Sequence, residues 1–377
     1  MIGVKDKGNI PVMIVGGGPA GLATSFTLSA RGVPHVLIDA QTKPSHKPGE
    51  ALSPNARPLL QKLGIEHLLE HPAHQQYYGL ESCWGSEQLE AKSFMSELHR
   101  NGYLLHRRLF EAQLRVIAQY TTQFFGEGFR LKQIQPSTQQ GQQWKIAIEN
   151  PAQNHLREIH AQWVIDATGR KASVCRHLGI QKQVIDEQFA MVFKAKLERE
   201  VPHQIWVEAT KQGWWYVAPL DRKHLTMMFF TLQELIPTGE QRASFLAQQL
   251  ASTLHLKKII STSTLLTDQI QLWPAGTTCL EVPSGEGWLA VGDAAHAYDP
   301  VSSFGITSAL ASGFYGGHTV ADLLKGKSEA HGVYRYILEN AFQAYFQQLI
   351  THYGREKRWP DAFFWQKRFP TLVDANA

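Results

Sequence analysis

Gly16-Gly17-Gly18-Pro19-Ala20-Gly21 is the stretch that decides the fold of this chain. Ahead of it, residues 11–16 read as a short buried strand. Beyond it, residues 19–31 read as a helix with Ala, Leu and Phe at helical spacing, and residues 34–39 as a second strand. The outcome is a βαβ unit whose first turn is a GxGxxG. In that spacing Gly16 permits a tight turn, Gly18 lets the backbone approach a pyrophosphate, and Gly21 lets the helix pack closely. Pro19 and Ala20 open the helix, whose first N–H groups and positive dipole end attract an anion. Asp39 ends the second strand 18 residues after Gly21, where a carboxylate can accept hydrogen bonds from both hydroxyls of a ribose. A glycine-rich turn alone is a weak signal. The strand-to-helix context and the distal acid together make it a dinucleotide-binding turn.

The 377 residues, 43% of them apolar, suffice for one large core or two smaller ones, so a pair of domains is expected. The formal charge of +4 comes from 37 basic against 33 acidic residues, with no basic block long enough to follow a phosphate backbone, so no nucleic-acid partner is expected. No apolar run reaches the roughly 18 residues of a membrane span, and the polar start lacks a signal-peptide core. These features predict a soluble protein. Cys83, Cys175 and Cys279 are odd in number and far apart, which fits a reducing cytoplasm better than a disulfide framework. The 17 histidines show no HExxH or similar spacing, so no metal site is expected.

Further along, residues 43–54 read as a Pro, Ser and Gly-rich loop, 55–63 as a helix stopping at Gly64, and 104–120 as another helix. Residues 190–195, 204–209, 214–219 and 224–231 are short β-branched or aromatic runs, predicting a mostly antiparallel sheet. A strand at 287–292 and a small-residue helix at 306–324 return to the opening style. The aromatic stretch 333–369 reads as helical, capping the core or offering a docking face.

Two later segments match the opening unit in kind. Residues 163–170 read as a strand running into Ala167-Thr168-Gly169-Arg170, and 289–296 as a strand running into Gly292-Asp293-Ala294-Ala295-His296. With the first turn they resemble the three fingerprints of the para-hydroxybenzoate-hydroxylase-like flavoproteins, a superfamily of aromatic hydroxylases, halogenases and geranylgeranyl reductases. The resemblance covers the whole chain. It implies FAD as cofactor, with Gly169 at the second turn, Asp293 accepting from the ribitol, and Gly305 and Ile306 presenting N–H groups to the pyrimidine edge. The run from Arg107 through Phe110 to Leu114 resembles the family helix whose arginine contacts the phosphates. Taken alone, Asp293 reads as a helix N-cap and Arg107 as a solvated charge; their joint occurrence in order reverses that. Gly49-Glu50-Ala51-Leu52-x-Pro54 resembles the halogenase and reductase branch.

The fold class expected is therefore α/β, α+β overall: a Rossmann-like FAD-binding domain of the GR2 type with an inserted antiparallel-sheet substrate domain and a C-terminal helical segment. Residues 1–75, 101–180 and 281–330 are assigned to the FAD-binding domain, 76–100 and 181–280 to the substrate domain, and 331–377 to the C-terminal segment.

No second GxGxxG follows Gly21, so electrons must come from external NAD(P)H, a reductase or the substrate. Trp206, Trp214, Trp215 and Tyr216 are candidates for a substrate-pocket wall; strand alternation puts Trp214 and Tyr216 on one face and Trp215 on the other. Against the WxWxIP motif of halogenases, Trp214 and Pro219 match while Tyr216 and Ala218 depart. The only lysines between Glu50 and Arg107 are Lys62 and Lys92, so a halogenase lysine is not evident.

The GExLxPN stretch at 49–55, the WWYxxPL run at 214–220 and the GDAAHAxDP run at 292–300 resemble small flavoproteins that mature quinone-cofactor enzymes. That resemblance implies a monooxygenase whose substrate is a tryptophan of a precursor oxidase of the lysine-oxidase or glycine-oxidase type, a step toward cysteine tryptophylquinone. His296, Asp299 and Glu50 are the candidate catalytic groups, with turn-shaping or flavin contact as the plain alternatives. Hydroxylation of a free aromatic metabolite, halogenation, and a non-catalytic flavoprotein chaperone are the competing readings.

Overall fold

The structure, a computed structural model, describes residues 10–45, 47–95, 98–141 and 143–374, with side chains through 368. One eight-stranded sheet contains, in spatial order, Ser284–Gly285, Trp288–Ala290, His155–Asp166, Ile10–Val15, His35–Asp39 and Phe124–Glu127; Trp144–Asn150 and Arg130–Pro136 extend it. Ile10–Val15 runs parallel to both His35–Asp39 and His155–Asp166, and His155–Asp166 parallel to Trp288–Ala290. The register pairs Val15 with Asp166 and Asp166 with Ala290. The three turns that begin at Gly16, Ala167 and Val291 therefore leave one edge side by side, although some 275 residues (291 − 16) separate the first from the last.

Small residues let the flanking helices close on one another. A Cβ on Gly313 would lie 2.2 Å from the Ala20 carbonyl oxygen, and one on Gly317 would lie 2.7 Å from Thr27 Cβ. The Gly305–Leu323 helix thus packs almost backbone to backbone on the Pro19–Ala30 helix.

A second sheet of seven strands contains Thr264–Pro274, Gln188–Lys196, His224–Leu232, Gly213–Asp221, Ile205–Thr210, Gly79–Cys83 and Glu90–Ser93 in that order. Its neighbours are antiparallel except Ile205–Thr210 with Gly79–Cys83. Strand alternation gives it two apolar faces. Trp214, Tyr216, Met228 and Phe230 face a core shared with Tyr353, Phe364 and Trp365 of the C-terminal helices. Trp206, Trp215, Met227 and Phe229 face the other way, against Leu246 of the Arg242–Ala251 helix.

Two stretches depart most from the sequence reading. The helix expected from Leu104 starts at Arg107, because Gly102–Leu104 is a strand paired with Ala51–Leu52 and Gln75–Tyr77. The stretch 333–369 splits into Ala330–Gly354 and Phe363–Asp374, with Pro360 in the interruption, where its ring disfavours a continuous helix. Its rings mostly cap the core: Tyr334, Tyr345, Phe346, Tyr353, Phe364 and Trp365 are buried. Among the described residues, no helix is long and apolar enough to cross a membrane.

Candidate flavin site

The first turn is shaped for a phosphate. Gly16 has φ +116°, and a Cβ there would lie 2.2 Å from the Ala167 carbonyl oxygen. A Cβ on Gly21 would lie 1.9 Å from the Gly16 carbonyl oxygen, so both positions need glycine. Gly18 instead faces open space, with nothing within 4 Å of its Cβ position. It precedes Pro19 and Ala20 at a helix start that no side chain caps, leaving N–H groups free for an anion. Asp39 sits beside this turn: its Oδ2 accepts from Gly17 N at 2.7 Å and pairs with Arg115 Nη2 at 3.0 Å, while Oδ1 accepts from Gln41 N at 2.6 Å. Sequence reasoning missed Arg115, which is buried and also pairs with Glu127 at 3.0 Å.

The second and third turns are tied together. Asp166 is buried and accepts from Thr168 N, Thr168 Oγ1 and Cys175 N at 2.7–2.9 Å, which fixes the turn carrying Gly169, at φ +66°. Gly292 has φ +59° and abuts Ala20, where a Cβ would lie 2.7 Å from Ala20 Cβ. Lys182 Nζ donates to the carbonyls of Asp293 at 2.7 Å and Arg170 at 3.2 Å, bridging the two turns. Burial lowers the Lys182 pKa to about 8. The Asp293 carboxylate is part-exposed, 3.6 Å from Arg170 Nε, so a lone pair is available to a ligand hydroxyl. Gly305 opens its helix without a side-chain cap, and its Cβ position faces open space; Ile306, next along, is buried.

Gly49 has φ +87°, and its carbonyl accepts from Arg107 Nη1 at 2.6 Å. Arg107 Nη2 pairs with Glu111 at 2.7 Å, and Lys47 reaches the other Glu111 oxygen at 2.8 Å. Arg107 Nε is buried without a partner among the described residues.

Glu50 is buried, and Thr226 Oγ1 donates to its Oε1 at 3.3 Å. Its Oε2 has no partner among the described residues, and neither does the Tyr216 hydroxyl. Burial raises the pKa of both groups, and the Glu50 charge raises that of Tyr216 further. A buried polar atom without a partner calls for an explanation, and completion by a bound group is one. The uncapped helix starts, the open space at Gly18 and these orphaned atoms all fit a dinucleotide flavin.

Several candidates stand elsewhere. Trp206 and Trp215 do not join this face: strand alternation turns them into the opposite core, where Trp206 Nε1 donates to Glu81 at 2.9 Å. Trp214 is on the Tyr216 side but enclosed, stacked on Phe230 at 3.9 Å and donating to Gln188 and Tyr353. Asp299 is not free to exchange protons, because its carboxylate is wholly buried and taken up by Arg368, Tyr353 and Val301 N. His296 is buried beside Phe342 at 4.7 Å; burial lowers its pKa to about 4, and its Nδ1 lacks a partner among the described residues. Lys62 and Lys92 are both exposed.

Parallel strands that deliver three turns to one edge, with an adjoining sheet that presents buried polar groups, fit a flavin-dependent oxidoreductase, the class that the family match shows. The chain belongs to the FAD binding domain family, whose model matches residues 9–345, and FAD is its cofactor. It is 27% identical to the putative FAD-dependent oxidoreductase LodB of Marinomonas mediterranea over 97% of this chain and 98% of that protein. The fold is shared with the myxobacterial chondrochloren halogenase CndH, with a TM-score of 0.86 and 18% identity over 98% of this chain and 91% of that one. It is shared too with QhpG, a peptidyl tryptophan dihydroxylase essential for tryptophylquinone cofactor biogenesis, with a TM-score of 0.77 and 19% identity over 96% and 79% of the two chains.

Proposed function

We propose that this flavoprotein is a monooxygenase that hydroxylates a tryptophan side chain in a precursor quinone-cofactor oxidase, an early step of cysteine tryptophylquinone formation. The observation that carries the reading is the fold shared with QhpG, a peptidyl tryptophan dihydroxylase, joined to the absence of a buried lysine among the described residues between Glu50 and Arg107. That second feature disfavours halogenation, although halogenases such as CndH share the fold. QhpG is a relative in fold that acts on a peptidyl tryptophan.

In this reading Gly16, Gly18, Pro19, Ala20 and Gly21 bind the pyrophosphate, Asp39 the adenosine ribose, Arg107 and Gly49 the phosphate side, and Gly169 and Gly292 shape the turns around Asp293, which takes the ribitol. Gly305 and Ile306 offer N–H groups to the pyrimidine edge. When bound and reduced, FAD supplies the activation of dioxygen. Glu50 Oε2 and the Tyr216 hydroxyl, buried and without partners among the described residues, would hold a proton or orient a ring N–H, and the aromatic face around Tyr216 would exclude water. His296, held neutral at pH 7 by burial, has an unpartnered Nδ1 among the described residues that would hydrogen-bond a bound group. We assign segments 1–75, 101–180 and 281–330 to the FAD-binding domain, 76–100 and 181–280 to the substrate domain, and 331–377 to a C-terminal helical segment. Electrons come from external NAD(P)H or a reductase, in a cytoplasmic setting that suits three free cysteines.

Reductant consumption tests the substrate class. Purified protein given a reductant should consume it faster when the unmodified precursor oxidase is added, and not when free tryptophan, indole or a phenol is added. Acceleration by a small aromatic alone would replace this reading with that of a metabolite hydroxylase.

A further inference from the structure

The Arg368 side chain is wholly buried and has no part in the roles assigned above. Its Nη1 donates to Asp186 Oδ1 at 2.6 Å, and its Nη2 donates to Asp299 Oδ2. The guanidinium lies 4.4 Å from the ring centre of Tyr353, whose hydroxyl donates to Asp299 Oδ2 at 3.0 Å. Trp214 Nε1 donates to that same hydroxyl at 3.0 Å and to Gln188 at 3.2 Å. Asp299 N donates to the Tyr345 hydroxyl at 2.7 Å, and Asp186 Oδ2 accepts from Thr277 N at 3.1 Å. One cation therefore joins the last helix, the segment entering the second sheet, and the turn that follows His296.

That turn leads to Gly305 and Ile306, assigned above to the pyrimidine edge of the flavin. Asp299 Oδ1 accepts from Val301 N at 2.8 Å, and the chain then passes through Ser303, at φ +54°, to Gly305. The Asp299 carboxylate thus anchors the start of the turn that ends at Gly305. Two carboxylates buried together repel unless a cation lies between them, and the arginine fork can bond both at once where lysine cannot.

We infer that Arg368 is a positioning residue for the flavin: by bridging Asp186 and Asp299 it holds the 299–305 turn in register with the sheet face that carries Trp214. The C-terminal helix then contributes to FAD affinity through Asp299.

The test separates this role from simple stability. Arg368→Met leaves two buried carboxylates unpaired and is expected to unfold more readily; adding Asp186→Asn and Asp299→Asn removes those charges and returns the urea midpoint toward that of the parent. Both the single and the triple variant should weaken FAD binding about tenfold or more in a fluorescence titration, and speed hydrogen exchange in residues 299–306. Arg358→Met is the control: Arg358 pairs with Glu356 and ties the same C-terminal region to Cys83, so its loss should lower the urea midpoint and leave FAD affinity unchanged. A stable triple variant with parental FAD affinity and exchange would overturn the inference, and so would equal weakening by Arg358→Met. If the triple variant does not fold, Arg368→Lys decides: weaker FAD binding supports the bridge, and parental binding refutes it.

Discussion

Arg115 Nη2 lies 3.0 Å from Asp39 Oδ2, joining the middle of the Arg107–Thr121 helix to the acid at the end of the second strand. Both side chains are largely out of water, at 5% and 13% exposure. The pair fixes the carboxylate that the ribose is expected to meet. Arg115→Met would leave Asp39 and Glu127 without their shared cation. The expected result is a stability loss on the order of 3 kcal/mol in urea unfolding and FAD binding weakened at least about tenfold. Parental FAD affinity in this variant would show that Asp39 needs no such anchor.

How far this was legible in the sequence follows from range. The glycine turn, Asp39 and Asp293 are local patterns, and their strand contexts could be read from short windows. Alternation along residues 213–219 correctly separated Trp214 and Tyr216 from Trp215. It could not say which face met the flavin side, because that depends on which strands and helices cover each face. Arg115, Lys182 and Arg368 escaped notice for a related reason: Lys182 bonds a carbonyl 111 residues away, and Arg368 a carboxylate 182 residues away. Asp299 looked catalytic because it lies in a motif, whereas its buried partners come from the far end of the chain.

Glu50 predicts an inverse pH dependence. Burial, opposed by Arg107 and nearby hydrogen bonds, raises its carboxyl pKa above the ordinary 4.5. Folding therefore favours the protonated form, and its contribution is complete below about pH 4.5 and declines as pH rises through the folded value. Glu50→Gln should gain stability over the parent progressively as the pH is raised above that point. A pH-independent difference between the two melting curves would contradict the assignment.

His296 works in the opposite direction. Its pKa of about 4, lowered by burial and then by Lys182, means that folding favours the neutral ring. Its contribution, about 3 kcal/mol by linkage, is present above pH 6.5 and lost as pH falls toward 4. His74 and His352 are shifted in the same sense. Melting temperature should drop steeply over that window, and His296→Gln should flatten the drop. An equally steep curve for the variant would remove His296 as a cause.

Tyr216 and Trp215 are neighbours with opposite expected phenotypes. Tyr216→Phe deletes a buried hydroxyl without a partner, so stability should hold or rise slightly while oxidation of the substrate falls. Trp215→Ala opens a cavity in the other core, at a cost of about 3–5 kcal/mol, and should leave the chemistry of the surviving folded protein intact. Urea titration beside single-turnover oxidation separates them. A Tyr216→Phe enzyme with full activity would leave the hydroxyl no role.

The most direct measurement is tandem mass spectrometry of the precursor oxidase, produced with and without this flavoprotein. The account predicts that co-production adds oxygen to one defined tryptophan of the partner and that Asp293→Ala, by lowering FAD occupancy, abolishes the gain. A partner that acquires its quinone cofactor without this protein, or that carries halogen in place of oxygen, would contradict it.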